Sequence, residues 1–320
     1  MDMSPEVWTP PLVGRLAPSP TGVLHLGNAR SFLLAWLSVR SRGGRMILRI
    51  EDIDGPRTKP GADRAAIEDL EWLGLDWDEG PFYQSNRLDV YETAARELED
   101  AGLAFPCVCS RKDVEEASRA PHGSSQDGPV YPGTCRGLFR DRNEARRKTG
   151  REAALRFRVT RDEFPFHDLV RGSEAGRLNG DFVITKRDGL PAYQLAVVVD
   201  DAAQGVTEVL RGDDLVPSTP RQLLLYEALR LSPPRFAHVP LMVGRDGRRL
   251  AKRHGDTSLA HFRRAGVAAD EVLGYLAYSA GLRNDRKPVV ARDLLDGFRL
   301  DLLRTEPWAV AADPFVPPRS

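Results

Sequence analysis

The sequence has no excess of charge of either sign, because 46 lysines and arginines balance 46 aspartates and glutamates over 320 residues. A net charge of zero gives no chain-wide attraction to nucleic acid or to an anionic membrane, so any basic binding surface must be local. The sequence also lacks an apolar run close to the ~20 residues that cross a bilayer. The N-terminus, with Asp2 and Glu6 and no apolar segment, does not resemble a signal peptide. We therefore expect a cytoplasmic protein without membrane contact, and no obligate protein partner is evident.

Cysteine is scarce and odd in number, with Cys107, Cys109 and Cys135 as the whole set. This count argues against a disulfide framework and leaves free thiols or a metal site. The CxC pair and the third thiol could reach one ion through an irregular loop. Structural zinc takes four ligands, usually cysteine and histidine, and His122 is the generic choice for the fourth. Three reduced thiols without a metal are the alternative.

Lysine is also rare, since six lysines stand against forty arginines. Position 252, in the stretch GRDGRRLAKR, therefore has the rarer cation of this chain. The ammonium of a lysine is a compact charge on a flexible side chain, whereas an arginine has a planar guanidinium. Such a charge could act on a triphosphate. The alternative interpretation of this stretch is a solvated basic turn.

Short apolar runs alternate with longer helical patterns, which favours an α/β protein with a mainly parallel sheet. The patterns predict strands at residues 13–17, 46–50, 206–210 and 239–243, and helices at 29–40, 62–73 and 217–231. Residues 104–190 are more polar and contain all three cysteines. We interpret them as an insertion between two halves of a nucleotide-binding sheet.

The stretch GRLAPSPTGVLHLGNARSF, residues 14–32, joins the first predicted strand to the first helix. Pro18 and Pro20 cannot continue a central ladder, so the strand should stop before them and the helix should begin near His25. Backbone N–H groups at a helix N-terminus favour phosphate binding. His25 and Asn28 lie on one face of the first turn and can both donate to phosphate oxygens. The alternative is a strand-to-helix turn in which His25 is only a cap.

Five sequence blocks, in order from residue 15 to residue 253, resemble class I glutamyl-tRNA synthetases. They are RLAPSPTGVLHLGNAR, with HLGN at the position of the HIGH signature, RIEDID, YQLAVVVDD, VLRGDDLVPSTPRQLLLYEAL and RLAKR. The resemblance covers nearly the whole chain, and its best fit is a truncated branch of the family, the glutamyl-Q tRNA(Asp) synthetases. The fold it implies is the Rossmann-like class I nucleotide-binding fold, with an inserted zinc-bearing α/β subdomain and a short helical C-terminal part.

The resemblance implies a glutamate pocket at matched positions. L-Glutamate needs cations for its carboxylates and an anion for its ammonium, because buried charges are costly unless paired. The matched positions assign Arg15 and Arg211 to the carboxylates and Glu51 to the ammonium, while Tyr193 and Ser19 line the pocket.

Each of these assignments has an alternative. Arg211 could pair with Asp213 or Asp214, and Tyr193 could be half-buried core. The EDID run could face water, or its two aspartates, Asp52 and Asp54, could hold Mg²⁺, which prefers carboxylates and retained water. We favour the ammonium role for Glu51 and assign Mg²⁺ to ATP.

ATP binding is assigned to the two signature segments. Gly27 permits close approach of a flat ligand such as adenine. RLAKR resembles the KMSKS loop, with Ala251 and Arg253 in place of two serines, which leaves open how the loop is held closed. The residues assigned to ATP are His25, Gly27, Asn28 and Lys252. The catalytic assignments among them are His25, Asn28 and Lys252.

The resemblance also implies one structural zinc ion. The branch shows a CxC pair, a tyrosine and a further cysteine, and YPGTC fits that arrangement. This favours Tyr131 over His122 as the fourth ligand. The expected zinc ligands are Cys107, Cys109, Tyr131 and Cys135.

The segments expected from the resemblance are four. Residues 1–103 and 191–258 form the two halves of the catalytic domain, 104–190 form the inserted subdomain, and 259–320 form the helical C-terminal part. Only residues 254–320 follow Arg253, so no anticodon-binding domain is expected. The basic residues of the insertion are expected to flank RNA phosphates: Arg136, Arg140, Arg156 and Arg158.

The implied function has two steps. The enzyme activates L-glutamate with ATP, without tRNA, and then transfers glutamate to queuosine at the wobble position of tRNA(Asp). One alternative is aminoacylation of a tRNA 3′ end or another acceptor by the same adenylate chemistry. The other is an inactive tRNA-binding module.

Overall fold

The computed structural model describes residues 11–53, 58–118, 130–248, 250, 257–311 and 314–315, and the structural statements below concern these residues. Several residues of the sequence analysis lie outside the described residues: Asp54, His122, Ala251, Lys252 and Arg253.

The first part of the chain alternates strands and helices. Its elements are β1 (Val13–Leu16), α1 (Leu26–Arg40), β2 (Arg45–Ile50), α2 (Ala62–Trp72), β3 (Glu79–Tyr83) and α3 (Leu88–Asp100). β1, β2 and β3 pair in parallel in that order. All four residues of β1 are buried, as in a parallel sheet covered on both faces. Gly14 allows α1 to pack closely on β1, because a Cβ at this position would lie 2.5 Å from Cγ2 of Val39.

The next part of the chain contains the three cysteines. Its elements are β4 (Ala104–Cys107), α4 (Arg111–Ser118), α5 (Arg142–Thr149), β5 (Ala154–Phe157), β6 (Phe166–Asp168), β7 (Gly172–Glu174) and β8 (Phe182–Thr185). β4, β5 and β8 form an antiparallel sheet in that order. β6 and β7 pair in antiparallel and belong to a different sheet.

The last part of the chain completes a second sheet, which is mixed because β6 and β7 are antiparallel. Its elements are α6 (Tyr193–Ala203), β9 (Glu208–Gly212), α7 (Thr219–Ala228), β10 (Arg235–Val239), β11 (Met242–Val243), α8 (Leu259–Arg264), α9 (Ala269–Ala280) and β12 (Trp308–Ala309). β10 lies between β9 and β6 and runs parallel to both. The 104–190 segment therefore contributes β6 and β7 to this sheet, and the four-segment division of the chain stays a prediction.

The parallel β1–β2–β3 sheet and the mixed sheet meet at β1. The backbone N–H of Val13 donates to Oγ1 of Thr207 at 2.9 Å, and the N–H of Thr207 donates to the carbonyl of Val13 at 2.9 Å. This places the start of β1 beside the residue that precedes β9. In such sheets ligands bind in the crevice at the carboxyl ends of the strands.

The α/β class is confirmed, and one predicted strand is wrong. Residues 239–243 do not form one strand, because β10 ends at Val239 and Pro240 has no N–H to donate to a ladder. Met242 and Val243 form β11, which pairs with β12. Within the described ranges, no helix is both long and apolar enough to cross a membrane.

Candidate active site

A cavity of about 1190 Å³ opens at the carboxyl ends of β1, β2 and β9. The structure brings every described residue of the expected glutamate and ATP sites to its wall. These residues are Arg15, Ser19, His25, Gly27, Asn28, Glu51, Tyr193 and Arg211. They come from four separate stretches of sequence, so the shared location is a property of the fold.

His25 is the N-cap of α1. Its Nδ1 accepts the backbone N–H groups of Gly27 at 3.1 Å and Asn28 at 3.3 Å, and Asn28 Oδ1 accepts the His25 N–H at 3.2 Å. Because Nδ1 accepts, the ring proton of neutral His25 is on Nε2, which is then a donor. The cap that the sequence left as an alternative is therefore present, and it orients the imidazole on the cavity wall.

Gly27 lies directly against the His25 ring. A Cβ at Gly27 would lie 3.0 Å from Cε1 of His25, which is tighter than ordinary van der Waals contact. The glycine thus makes room for the imidazole of the cap.

The segment after the KMSKS-like residues is attached to the same turn. The N–H of Leu26 donates to the carbonyl of Thr257 at 3.0 Å, and the N–H of Leu259 donates to the carbonyl of Leu24 at 2.9 Å. Thr257 and Leu250, which flank residues 251–256, both line the cavity.

Arg15 and Glu51 belong to a buried network of charges. Arg49, with a fully buried side chain, lies with Nη2 3.3 Å from Glu51 Oε1 and Nη1 2.8 Å from Asp201 Oδ1. Arg15 Nε lies 3.5 Å from the same Asp201 oxygen. Burial raises the pKa of Glu51, and the cations of Arg49 and Arg15 oppose that rise. A substrate ammonium at Glu51 would add a further cation that favours its carboxylate form.

Arg211, near the end of β9, has four hydrogen-bond partners for its guanidinium. Nε donates to His238 Nε2 at 3.0 Å, and Nη1 donates to the Tyr193 hydroxyl at 3.4 Å. Nη2 donates to Thr219 Oγ1 at 2.9 Å and also lies 3.4 Å from the Leu215 carbonyl. The side chain is buried, and burial lowers its pKa. Asp213, one of its alternative partners, lies 3.9 Å from Arg171 Nη1.

His238 contacts Arg211 and Asp168 contacts His238, and neither was predicted from the sequence as a site residue. His238 Nδ1 is 2.6 Å from Asp168 Oδ2, and both side chains have no exposed surface. Burial lowers the pKa of His238 although Asp168 opposes this. Burial would raise the pKa of Asp168, but the His238 hydrogen bond and the N–H groups of Arg171 and Val170 hold it below its ordinary value. The sequence signal that could have indicated His238 is a histidine within the apolar run RFAHV of β10.

Two further lysines line the cavity and were also missed. They are Lys59 and Lys186, and Lys186 Nζ donates to the carbonyl of Ile53 at 3.0 Å. They contribute two cations to the cavity wall.

The three cysteines form a cluster outside this cavity. Their sulfurs all lie within 4.8 Å of one another, with Cys109 and Cys135 3.5 Å apart. The Tyr131 oxygen lies 3.5 Å from Cys107 Sγ and 4.0 Å from Cys109 Sγ. Tetrahedral Zn–S bonds of about 2.3 Å place sulfurs about 3.8 Å apart, so this donor set fits zinc. The structure thus brings the four expected ligands together.

The cationic side chains expected to flank RNA have other contacts. Arg156 Nε donates to Cys107 Sγ at 3.3 Å, and its guanidinium lies 4.0 Å from the centroid of the Tyr131 ring. Arg158 lies over the Phe105 ring at 5.3 Å, and Arg136 Nε donates to Asp181 at 2.6 Å. Arg156 and Arg158 are half-buried, so they are poorly placed to bind phosphates.

Residues 11–306 match the family described as tRNA synthetases class I (E and Q), catalytic domain. The chain belongs to this family, and it is an ATP-dependent ligase with the class I fold. Within the family it belongs with the glutamyl-Q tRNA(Asp) synthetases. The relative of that name from Symbiobacterium thermophilum is 49% identical over 312 residues, which cover 94% of this chain and 97% of the relative. The one from Rhodopirellula baltica is 49% identical over 309 residues, covering 92% and 93%.

A solved glutamate tRNA ligase from Elizabethkingia meningosepticum, in complex with its amino acid, is similar in structure. Its TM-score is 0.80 at 27% identity, and the match covers 94% of this chain and 67% of that one. The expected Rossmann-like class I fold is thereby confirmed, whereas the roles of the individual site residues stay predictions.

Proposed function

We propose that the protein activates L-glutamate with ATP and Mg²⁺ before any RNA binds. One observation carries this proposal: the buried cations of Arg15 and Arg211, the buried carboxylate of Glu51 and the hydroxyl of Tyr193 border one cavity. Two cations and one anion complement the two carboxylates and the ammonium of glutamate. Every one of these groups comes from this chain, so the pocket needs no RNA to complete it.

In the proposed reaction, the α-carboxylate of glutamate attacks the α-phosphorus of ATP and pyrophosphate leaves. His25 Nε2 donates to a phosphate oxygen while its Nδ1 remains the cap of α1. Asn28, whose carboxamide oxygen accepts the His25 N–H, donates through its amide nitrogen. Lys252, which lies outside the described residues, acts as a cation on the leaving phosphates. These donors act where negative charge accumulates in the transition state, and Mg²⁺ supplies further charge neutralisation on ATP.

We assign the second step to queuosine at the wobble position of tRNA(Asp). An adenylate already has an activated carbonyl, so esterification mainly requires that a hydroxyl be held close and aligned. A diol on a base in a single-stranded loop can enter a cleft, since such loops can be splayed out and stacked. The names of the relatives that match over almost their full length support this acceptor.

Glutamate-dependent pyrophosphate exchange tests the first step. Purified protein, ATP, Mg²⁺ and L-glutamate should support exchange without tRNA, whereas glutamine and aspartate should support it poorly. Absence of exchange contradicts tRNA-independent activation, and comparable exchange with glutamine contradicts the pocket assignment.

Mapping the position of labelled glutamate tests the second step. tRNA(Asp) with and without queuosine is incubated with enzyme and ATP, and the label is located by nuclease digestion. We expect label only in the queuosine-containing anticodon fragment, with binding that weakens as salt rises. Label on the 3′-terminal adenosine, or equal labelling without queuosine, would favour ordinary aminoacylation. Failure to label any RNA despite efficient exchange would point to another acceptor, and absence of both activities would favour a tRNA-binding module.

We also propose one structural zinc ion, held by Cys107, Cys109, Tyr131 and Cys135. Zinc would tie the end of β4 to the loop that precedes α5, because the ligands come from both sides of residues 119–129. The cysteines do not line the described part of the large cavity, so the proposed role is in folding and not in the chemical step.

A further inference from the structure

The guanidinium of Arg211 has one defined orientation at the cavity wall. Nε and Nη2 are engaged by His238, Thr219 and the Leu215 carbonyl, and of these three residues only Leu215 lines the cavity. Nη1 lies on the side of Tyr193, which lines the cavity together with Arg211. A guanidinium on a flexible side chain has several rotamers, so something must select this one.

The selection is made through a neutral imidazole. His238 Nδ1 donates to Asp168 Oδ2, and His238 Nε2 is thereby left as an acceptor. The Arg211 Nε–H donates to it, and the Thr219 hydroxyl lies 3.3 Å from the same nitrogen. Asp168 is itself held by its other oxygen, which accepts the backbone N–H groups of Val170, Arg171 and His238. The order of the contacts is thus carboxylate, imidazole and guanidinium.

The interposed ring has an electrostatic consequence. A carboxylate in direct contact with Arg211 would neutralise the cation that a substrate carboxylate needs, whereas a neutral imidazole accepts the Nε–H without supplying a charge. The anion of Asp168 is one ring further away, where its attraction for the guanidinium is weaker. Arg211 therefore keeps its orientation and its positive charge for the ligand.

We propose that Asp168 and His238 are positioning residues that hold Arg211 in the orientation required to bind a glutamate carboxylate and to discriminate it from an uncharged amide. This inference rests on the proposed function, in which Arg211 binds substrate. Neither residue touches the substrate, and their effect is exerted on ground-state binding. Variants should therefore change the KM for glutamate more than kcat.

Asp168→Asn is the sharpest variant, because it changes almost no volume. Oδ1 still has to accept three backbone N–H groups, so the amide NH₂ takes the position that faces His238 Nδ1. The imidazole proton then moves to Nε2, where it opposes the Nε–H of Arg211. We expect the KM for glutamate in exchange to rise by about 30-fold or more, with kcat within about threefold and the KM for ATP unchanged. The preference for glutamate over glutamine should fall with it.

Glu208→Gln is the matched control. Glu208 is a buried carboxylate at the start of β9 that accepts from Ser38 Oγ at 2.6 Å and from Arg235 Nη2 at 3.1 Å. Glu208→Gln removes the same charge as Asp168→Asn, but from β9, the strand that carries Arg211, and without a contact to Arg211. We expect it to lower Tm and to leave the KM for glutamate unchanged. An equal rise in KM for both variants would mean that the network only supports the sheet.

Nitrogen-15 NMR of the histidine rings provides a readout that a merely structural role would not change. Wild-type His238 should carry its proton on Nδ1, and Asp168→Asn should move it to Nε2. A proton on Nε2 in the wild type would overturn the inference. So would a glutamate KM that is unchanged in a folded Asp168→Asn variant.

His238→Gln and His238→Leu decide the matter if Asp168→Asn does not fold. A Gln side-chain oxygen can occupy the position of Nε2 and accept from Arg211, whereas Leu cannot. We expect the KM for glutamate of His238→Gln to stay within about fivefold of the wild-type value. The KM of His238→Leu should rise about 30-fold. Equal values for Gln and Leu would contradict the inference. Absence of exchange by the wild type would contradict the proposed function instead, and the NMR measurement would still test the arrangement of protons.

Discussion

Arg156 on β5 and Cys107 on β4 are diagonal neighbours across the β4–β5 pair, with the guanidinium Nε 3.3 Å from the thiol sulfur. The same guanidinium lies over the ring of Tyr131. The Arg156 cation thus lies beside the four proposed zinc ligands. Their thiols would lose protons and become negative on binding a metal, and the cation would offset that charge.

The first prediction concerns that set of donors. Protein purified without added metal should contain about one zinc per chain by elemental analysis. Cys135→Ser and Tyr131→Phe should each weaken zinc retention in a chelator competition, because each removes one ligand. His122→Ala should retain zinc as well as the wild type. If Tyr131→Phe keeps zinc and His122→Ala loses it, the fourth ligand has been assigned wrongly.

A second prediction separates the two roles of His25. His25→Asn keeps an N-cap acceptor, and His25→Ala loses it, which costs about 1 kcal/mol of stability. Both variants lose the Nε2 donor, so both should slow glutamate-dependent exchange by about 100-fold or more. Thermal unfolding should show a lower Tm for His25→Ala alone.

The His25 pair of variants has a clear contrary result. Full exchange activity in His25→Asn would mean that the imidazole serves only as the cap of α1.

The third prediction concerns Arg211. Loss of one buried, charged hydrogen bond costs on the order of 2 to 4 kcal/mol, so Arg211→Ala should lower glutamate activation at least roughly 30-fold. Arg211→Lys should recover little, since an ammonium cannot donate to His238, Thr219 and Tyr193 in the planar geometry of a guanidinium. Arg235→Ala, on β10 and half-exposed, is the control and should retain activity. Retention of activity by Arg211→Ala would remove this residue from the pocket.

The fourth prediction is a pH dependence of stability at Asp69, on α2. Burial raises the pKa of Asp69 from 3.8 to about 6, although Arg263, 3.6 Å away, opposes the rise. The folded state therefore binds this proton more tightly than the unfolded state, and its stabilising effect is lost as pH rises through 6. Asp69→Asn should be more stable than the wild type above pH 7, on the order of 1 to 2 kcal/mol.

Thermal unfolding between pH 4 and pH 8 measures this effect. The difference in Tm between Asp69→Asn and the wild type should grow from pH 4 to pH 7. Glu71→Gln, an exposed position next to α2's end, should show no such trend. A difference that does not change with pH would contradict burial of the charge as the cause.

The parts of the site that the sequence predicts are those encoded over short distances. The prolines and glycines of residues 14–32 set the strand end and the helix start, and His25 is the observed cap. Pro240 is also a local signal for the end of a strand. The prediction of one strand at residues 239–243 was wrong because it followed the apolar residues on both sides of this proline. The α/β alternation depends on periodicity alone and is confirmed.

The parts that the sequence could not predict depend on contacts between distant residues. Asp168 and His238 are 70 positions apart and meet only because β6 pairs with β10. Arg156 resembled a surface cation because one arginine in a short strand does not reveal which side is covered. Arg156 stands on the central strand, between β4 and β8, with its guanidinium over the Tyr131 ring, and this position is decided by sheet order and not by local pattern.

Two backbone hydrogen bonds, between Leu26 and Thr257 and between Leu259 and Leu24, limit how the KMSKS-like stretch can be exchanged with that of a related enzyme. Residues 251–256 connect two fixed points, Leu250 in the cavity wall and Thr257 on the His25 turn. Replacing side chains between these points, as Ala251 and Arg253 do relative to the KMSKS pattern, leaves both attachments in place. Both attachments are made by backbone atoms outside residues 251–256. Chimaeras with related enzymes should therefore place their junctions outside residues 24–26 and 257–259, so that both backbone bonds come from one parent.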